Sequence, residues 1–178
     1  MTSIHVNRLL LALVLSGSFL FGKNNYPVVL IHGFLGWGRE EMAGYYYWGG
    51  RTDLEAELKN EGFEVYTVSI GPISPNWDRS IETFYQIKGG QVDYGNEKAE
   101  KWNIIQRPPT KNYEGFYTQW DSDHPIHIIS HSQGGQTARM LEMLLKRSTP
   151  GETSSLLSNE YYGWIKSITT ISTPHNGS

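Results

Sequence analysis

The 178-residue chain has no cysteine. That removes disulfides, thiol nucleophiles and thiolate metal sites in one step. It also leaves the compartment unmarked, since a core of this size needs no covalent staple even in an oxidising space. There is no basic run. Fifteen lysines and arginines against eighteen aspartates and glutamates give a net charge of −3, a balance that excludes a binder of phosphate backbones. No apolar run reaches the roughly 20 residues that a comfortable membrane span requires. No internal repeat or linker divides the chain, so it reads as one domain. What the chain does have is core-forming material. A hydrophobic content of 38% and an aromatic content of 13%, with six tryptophans and eleven tyrosines, argue for a packed globular protein.

At the N-terminus, Arg8 precedes the apolar stretch Leu9-Leu10-Leu11-Ala12-Leu13-Val14-Leu15, and the small residues Ser16, Gly17, Ser18 and Gly22 follow. Charged region, apolar core and processing site in that order mark a signal peptide over residues 1–22, with an uncleaved anchor as the alternative. A secreted, extracellular protein follows, its folded part running over residues 23–178.

The segment Ser130-His131-Ser132-Gln133-Gly134-Gly135 is entered from Pro125-Ile126-His127-Ile128-Ile129 and left through Gln136-Thr137-Ala138-Arg139-Met140-Leu141. An apolar strand that passes into a helix through a serine among small residues reads as a nucleophile elbow. Such a turn lifts the serine Oγ to where a base and a substrate carbonyl can both reach it. Gly134 keeps the usual glycine two positions after the serine, whereas Ser130 stands two before it. An ordinary strand-to-helix turn is the competing reading.

About a hundred residues upstream, Tyr26-Pro27-Val28-Val29-Leu30-Ile31 has strand length and empties into His32-Gly33-Phe34-Leu35-Gly36-Trp37-Gly38. Acyl transfer develops negative charge on a carbonyl oxygen, so a serine hydrolase needs two fixed N–H donors, one from the residue after the serine and one from an early loop. Here these are the backbone amides of Gln133 and Phe34. His32 reads as a strand-end histidine bonded to local backbone rather than as a proton-transfer group.

These blocks, with Gly36-Trp37-Gly38-Arg39-Glu40-Glu41-Met42, Tyr47-Trp48-Gly49-Gly50, Gly71-Pro72, Asn76-Trp77-Asp78-Arg79, Val92-Asp93-Tyr94-Gly95 and Thr173-Pro174-His175-Asn176-Gly177, resemble the secreted thermoalkalophilic and staphylococcal-type triacylglycerol lipases. The order matches from about Tyr26 onward. The resemblance implies an α/β-hydrolase fold, a mostly parallel sheet with crossover helices. It also implies a carboxylester hydrolase acting on acylglycerols at a lipid–water interface, in which Ser132 forms an acyl-enzyme that water resolves. No cofactor, no nucleic acid and no stable membrane span belong to this reading. A catalytically silent lipid-binding or surface protein on the same scaffold is the alternative. The aromatic run Tyr45-Tyr46-Tyr47-Trp48 suits either lipid contact or packing with a wet polar tip.

Between the landmarks, strand and helix signals alternate. Thr52 with Glu55 reads as a capping box for a helix through Leu58 that stops near Gly62. A strand is expected over 63–70 and a helix over 77–88. A polar excursion over 91–123 carries one short helix at 96–102. A helix from Gln133 to about Lys146 follows, and a last strand spans 165–171.

Lipases of this group carry a zinc site in the region of the excursion, built from the aspartate of the Asn-Trp-Asp-Arg motif, two histidines and a later aspartate. Asp78 matches the first ligand, but the histidine positions fall on Lys98 and Ile104, and no histidine occurs from Lys88 until His124. The expectation is no metal, with Asp78 favourable at a helix N-terminus and Trp77 packed beside it.

The triad is the remaining gap. In this fold the acid and then the base follow the nucleophile, yet after Ser132 there is no aspartate, and the candidates are Glu142, Glu152, Glu160 and His175. None matches the lipases' triad positions; Glu152 or Glu160 with His175 is an improvised alternative. Only about four strand signals are visible, too few to close the core of that fold, which would leave apolar surface exposed. The chain is therefore expected to be the N-terminal portion of a lipase domain, truncated after the strand that follows the nucleophile helix and inactive alone.

Overall fold

The structure, a computed structural model, describes residues 25–176, and the expected signal peptide lies outside them. In chain order the elements are β1 (Val28–Ile31), α1 (Leu54–Asn60), β2 (Val65–Thr67), α2 (Asn76–Lys88), β3 (Gly90–Gln91), α3 (Asn96–Trp102), β4 (Asn112–Tyr113), β5 (Ile126–His131), α4 (Gln133–Leu145) and β6 (Ile165–Ile171). β1, β2, β5 and β6 form one sheet in the order β2-β1-β5-β6, every pair parallel. This is the mostly parallel sheet with crossover helices of an α/β-hydrolase.

The sheet forms where β-branched and apolar residues alternate. Along β5, Ile126, Ile128 and Ser130 are buried, while His127, Ile129 and His131 are half-buried. Ile126 and Ile128 join Val29 and Ile31 of β1 in a single core cluster with Ile81, Phe84 and Ile87 of α2 and Leu141, Leu144 and Leu145 of α4. Each of these side chains contributes about 1.5–3 kcal/mol by leaving water. The two helices also pack on each other, so α4 is held between sheet and α2.

The helix at 96–102 and the strand at 165–171 stand where they are expected. The strand expected over 63–70 shortens to Val65–Thr67. Beyond it the Ser69 backbone is gripped by a side chain: Ser69 N–H donates to Gln86 Oε1 at 2.8 Å, and Gln86 Nε2 donates to Ser69 O at 2.6 Å. The excursion is more anchored than its polar composition suggests. β3 and β4 pair antiparallel at its base. Near its end Trp120 is fully buried against Phe84 and Trp164, its Nε1 donating to Trp164 O at 2.8 Å.

The cap of α1 also differs. Asp53, not Thr52, is the N-cap, and its Oδ1 accepts from Ala56 N–H at 3.1 Å. Glu55 does not reach back as a capping box would; it pairs with Lys59 at 2.7 Å. Asp53 prevails because its carboxylate is also gripped by Arg39, whose Nε donates to Oδ2 at 2.9 Å. That grip holds the carboxyl below its ordinary pKa. Asp53→Ala removes both functions and is expected to lower unfolding free energy by about 1–2 kcal/mol, measured by urea denaturation, whereas Thr52→Ala should change it little.

Candidate active site

Ser132 lies between β5 and α4 with φ 53° and ψ −125°. For a residue with a Cβ this left-handed backbone costs about 1–3 kcal/mol and persists only where the surroundings over-determine it. They do so here. Ser132 N–H donates to Ile171 O at 2.9 Å, and Ser132 O accepts from Thr173 Oγ1 at 2.9 Å and from Gly135 N–H at 3.1 Å. Ser130, in place of the usual glycine, is accommodated because its buried hydroxyl donates to Thr169 O of β6 at 3.2 Å.

The loop after β1 meets this turn directly. A Cβ on Gly134 would stand 2.4 Å from Ile31 O, and one on Gly33 would stand 2.8 Å from Ser132 Cβ. Both glycines are required by that approach. Gly36 N–H closes a turn onto Gly33 O at 3.1 Å, and Leu35 N–H donates to Pro72 O at 2.9 Å. Phe34 makes no hydrogen bond among the described residues, which leaves its amide donor free. Gln133 opens α4, so its amide is one of the first-turn N–H groups without an intrahelical acceptor. The structure thus brings Ser132, the Phe34 loop and Gln133 together at the C-terminal edge of the sheet.

Two more residues belong to this site. Tyr47 places its hydroxyl to accept from Gly33 N–H at 3.0 Å and to hydrogen-bond with His131 Nδ1 at 2.5 Å. Arg79, fully buried, donates from Nη2 to His32 O at 2.5 Å. Both sit inside motifs quoted for the resemblance, but nothing local in the sequence shows that they reach the loop after β1.

His32 is a strand-end histidine held by backbone. Its Nδ1 lies 2.9 Å from Gly33 O and its Nε2 3.1 Å from Ile70 O. Burial lowers its pKa, and the nearby Arg79 charge lowers it further against those hydrogen bonds. The neutral ring donates to only one of the two carbonyls.

The candidate acids and base do not gather at Ser132. Glu142 pairs with Lys146 at 2.7 Å on α4. Glu152 accepts from the Asn96 and Glu97 amides at the start of α3. The exposed His175 ring takes Arg139 Nη1 at 3.3 Å on Nδ1, and its Nε2 faces Thr170 Oγ1 at 3.1 Å.

Asp78 lies in the first turn of α2 and carries the ammonium of Lys98 directly on its Oδ1. The residue standing where a zinc-binding histidine is expected therefore supplies the positive charge itself. Zinc does not fit these residues: Asp78 is already ion-paired, and no cluster of three or more metal-ligating side chains occurs among the described residues. A cleft of about 660 Å³ borders this pair, between Trp77, Trp102, Met143 and Arg147, rather than Ser132.

A strained serine between a parallel strand and a helix, against a loop with a free amide, defines the protein as an α/β-hydrolase. The chain belongs to the family described as lipase-like, C-terminal domain, which matches residues 24–178. It is 40% identical over 168 residues to a lipase of Staphylococcus epidermidis, covering 87% of this chain and 24% of that protein. Among solved structures it superposes on lipase 1 from Pelosinus fermentans with a TM-score of 0.81 at 43% identity, covering 88% of this chain and 43% of that one. Staphylococcus hyicus lipase gives a TM-score of 0.81 at 39% identity, with the same coverage. The chain spans about a quarter of the length of the curated relatives it matches.

Because folding depresses the His32 pKa, the unfolded chain binds that proton more readily. The histidine's contribution to stability is full above its unfolded value of about 6.5 and is lost as pH falls through the lower folded value. Unfolding free energies at pH 7.5 and 5.5 should fall more steeply for the wild type than for His32→Gln. For the Asp78–Lys98 pair, elemental analysis of protein purified without chelator is expected to find no stoichiometric zinc, and EDTA should leave the melting temperature unchanged.

Proposed function

We propose that the protein is a secreted lipase or carboxylesterase that hydrolyses acylglycerol esters through a serine acyl-enzyme, with Ser132 as nucleophile and the Phe34 and Gln133 amides as the oxyanion hole. The observation that carries this reading is the φ of 53° at Ser132. Strain at a non-glycine residue, pinned on both sides and aimed at a loop with a free amide, has little purpose in an ordinary strand-to-helix turn. In this reading the Ser132 hydroxyl adds to the acyl carbon, the two amides take up the charge on the carbonyl oxygen, and the alcohol leaves with a proton. Water then cleaves the ester bond to Ser132.

The surroundings suit a lipid substrate. Phe34 and Leu35 are 59% and 60% exposed, and Ile73, next to the Pro72 to which Leu35 is bonded, is 69% exposed. They form an apolar rim at the mouth of the site, as an acyl chain requires. Among the described residues no helix is long and apolar enough to cross a membrane. We assign residues 1–22 to a signal peptide and residues 23–178 to the N-terminal portion of an α/β-hydrolase (lipase) domain.

The silent-scaffold reading draws on one observation: no acid or base is brought to Ser132 among the described residues, and an unassisted serine is a weak nucleophile. For that reason residues 23–178 alone are expected to be inactive. A fluorophosphonate probe separates the two readings in the full native protein, since only an activated serine is labelled. Ser132→Ala is expected to abolish both labelling and hydrolysis of a p-nitrophenyl ester while leaving the protein folded. Activity within a few-fold of wild type in that variant would sink the assignment.

A further inference from the structure

Arg79 is the one arginine of the buried set, and it lies within salt-bridge distance of no carboxylate among the described residues. Burial of this kind is unfavourable unless the guanidinium is satisfied by other means. It is satisfied by three acceptors from three different segments: Nη2 donates to His32 O at 2.5 Å, Nη1 to Gly71 O at 2.6 Å, and Nε to Thr137 Oγ1 at 3.0 Å.

Each acceptor leads to the proposed oxyanion hole. The His32 carbonyl belongs to the peptide whose other end, Gly33 N–H, is held by Tyr47, and the next peptide along carries the Phe34 amide. Gly71 precedes Pro72, whose carbonyl holds Leu35 N–H. Thr137 lies one turn after Gln133 on α4, and its hydroxyl has two acceptors in reach, Asn76 Oδ1 at 3.2 Å and Gln133 O at 3.3 Å. Glu82, one turn beyond Arg79 on α2, holds the peptide before it by accepting Gly71 N–H at 2.9 Å, so Gly71 is fastened on both sides.

We propose that Arg79 is the positioning residue of the oxyanion hole: its planar fork sets the Phe34 amide relative to the Gln133 amide by holding the loop after β1, the Gly71 loop and the first turns of α4 at once. This rests on the hydrolase reading above. A lysine has the charge but not the fork, and a single ammonium cannot serve three acceptors in one plane. Donors aimed at a developing oxyanion act on the transition state more than on the bound ester, so their misplacement falls on kcat.

The test compares Arg79→Lys and Thr137→Val with wild type in the full native protein. It reads kcat and KM on a p-nitrophenyl ester, the rate of fluorophosphonate labelling, and cooperative unfolding. Removing an oxyanion donor costs about 100- to 1,000-fold. Displacing one in Arg79→Lys is expected to lower kcat by roughly 10- to 100-fold, with KM within about 3-fold and labelling slowed in parallel. Thr137→Val, which removes one arm at nearly constant volume, is expected to lower kcat by about 3- to 10-fold at unchanged KM. A folded Arg79→Lys with wild-type kcat would overturn the inference, as would losses that match the unfolded fraction. If Arg79→Lys does not fold, wild-type kcat in Thr137→Val overturns it. A wild type silent toward both ester and probe sinks the hydrolase reading and the inference together. A wild type that turns over beside unaffected variants sinks only the role of Arg79.

Discussion

Adjacent parallel strands end on the same edge of a sheet, and the pairing of β1 with β5 sets Ile31 beside Ser130. The two loops that leave those strands must then share one small volume. One carries Gly33 and Phe34, the other Ser132 and Gln133, and the glycines at 33 and 134 are the residues that let the backbones approach. Ligand sites of open α/β sheets lie at this carboxyl edge for the same geometric reason. Shifted by one residue, the register would put Ile126, Ile128 and Ser130 on the wrong face. It would also part the turn from the loop that abuts it.

Held this way, the edge needs fastening, because loops carry few contacts of their own. The polar face of α2 supplies it. Arg79, Glu82 and Gln86 stand about one turn apart and take the backbone of Gly71 and Ser69 in place of a further strand. Glu82 is itself buried, and it also accepts from Lys111 Nζ at 2.5 Å and from the Tyr94 hydroxyl at 2.7 Å, which ties the excursion to the same helix. Satisfied networks of this kind rigidify a core, whereas a half-satisfied one destabilises it. α2 is thus both a wall of the core and the frame of the site.

At its N-terminal end the same helix is fastened to α3 by the Asp78–Lys98 ion pair. A divalent ion draws in several ligands, but an ammonium satisfies one carboxylate with a single side chain. That simplification accounts for an excursion that carries no metal-ligating cluster among the described residues yet remains anchored. Its anchors include the β3–β4 pair, the Trp120 ring in the core, the Lys111–Glu82 pair and this ion pair.

The sequence by itself determined the local elements whose signals are local. A strand over 165–171, a short helix over 96–102 and, from the small residues about Ser132, a tight strand-to-helix turn are all expected from nearby residues. It determined where Ser132, Phe34 and Gln133 stand along the chain, and that Lys98 and Ile104 occupy the histidine positions. Tertiary structure decided the rest. Thr52 and Asp53 are both good caps by residue type, and only the approach of Arg39 from 14 residues away selects Asp53. Tyr47 lies 84 residues from His131, and Arg79 lies 47 from His32 and 58 from Thr137. Hydrogen bonds over such spans exist only once parallel pairing has brought the strand ends together. No window of the chain contains them, because what creates them is the packing of α2 across the edge of the sheet.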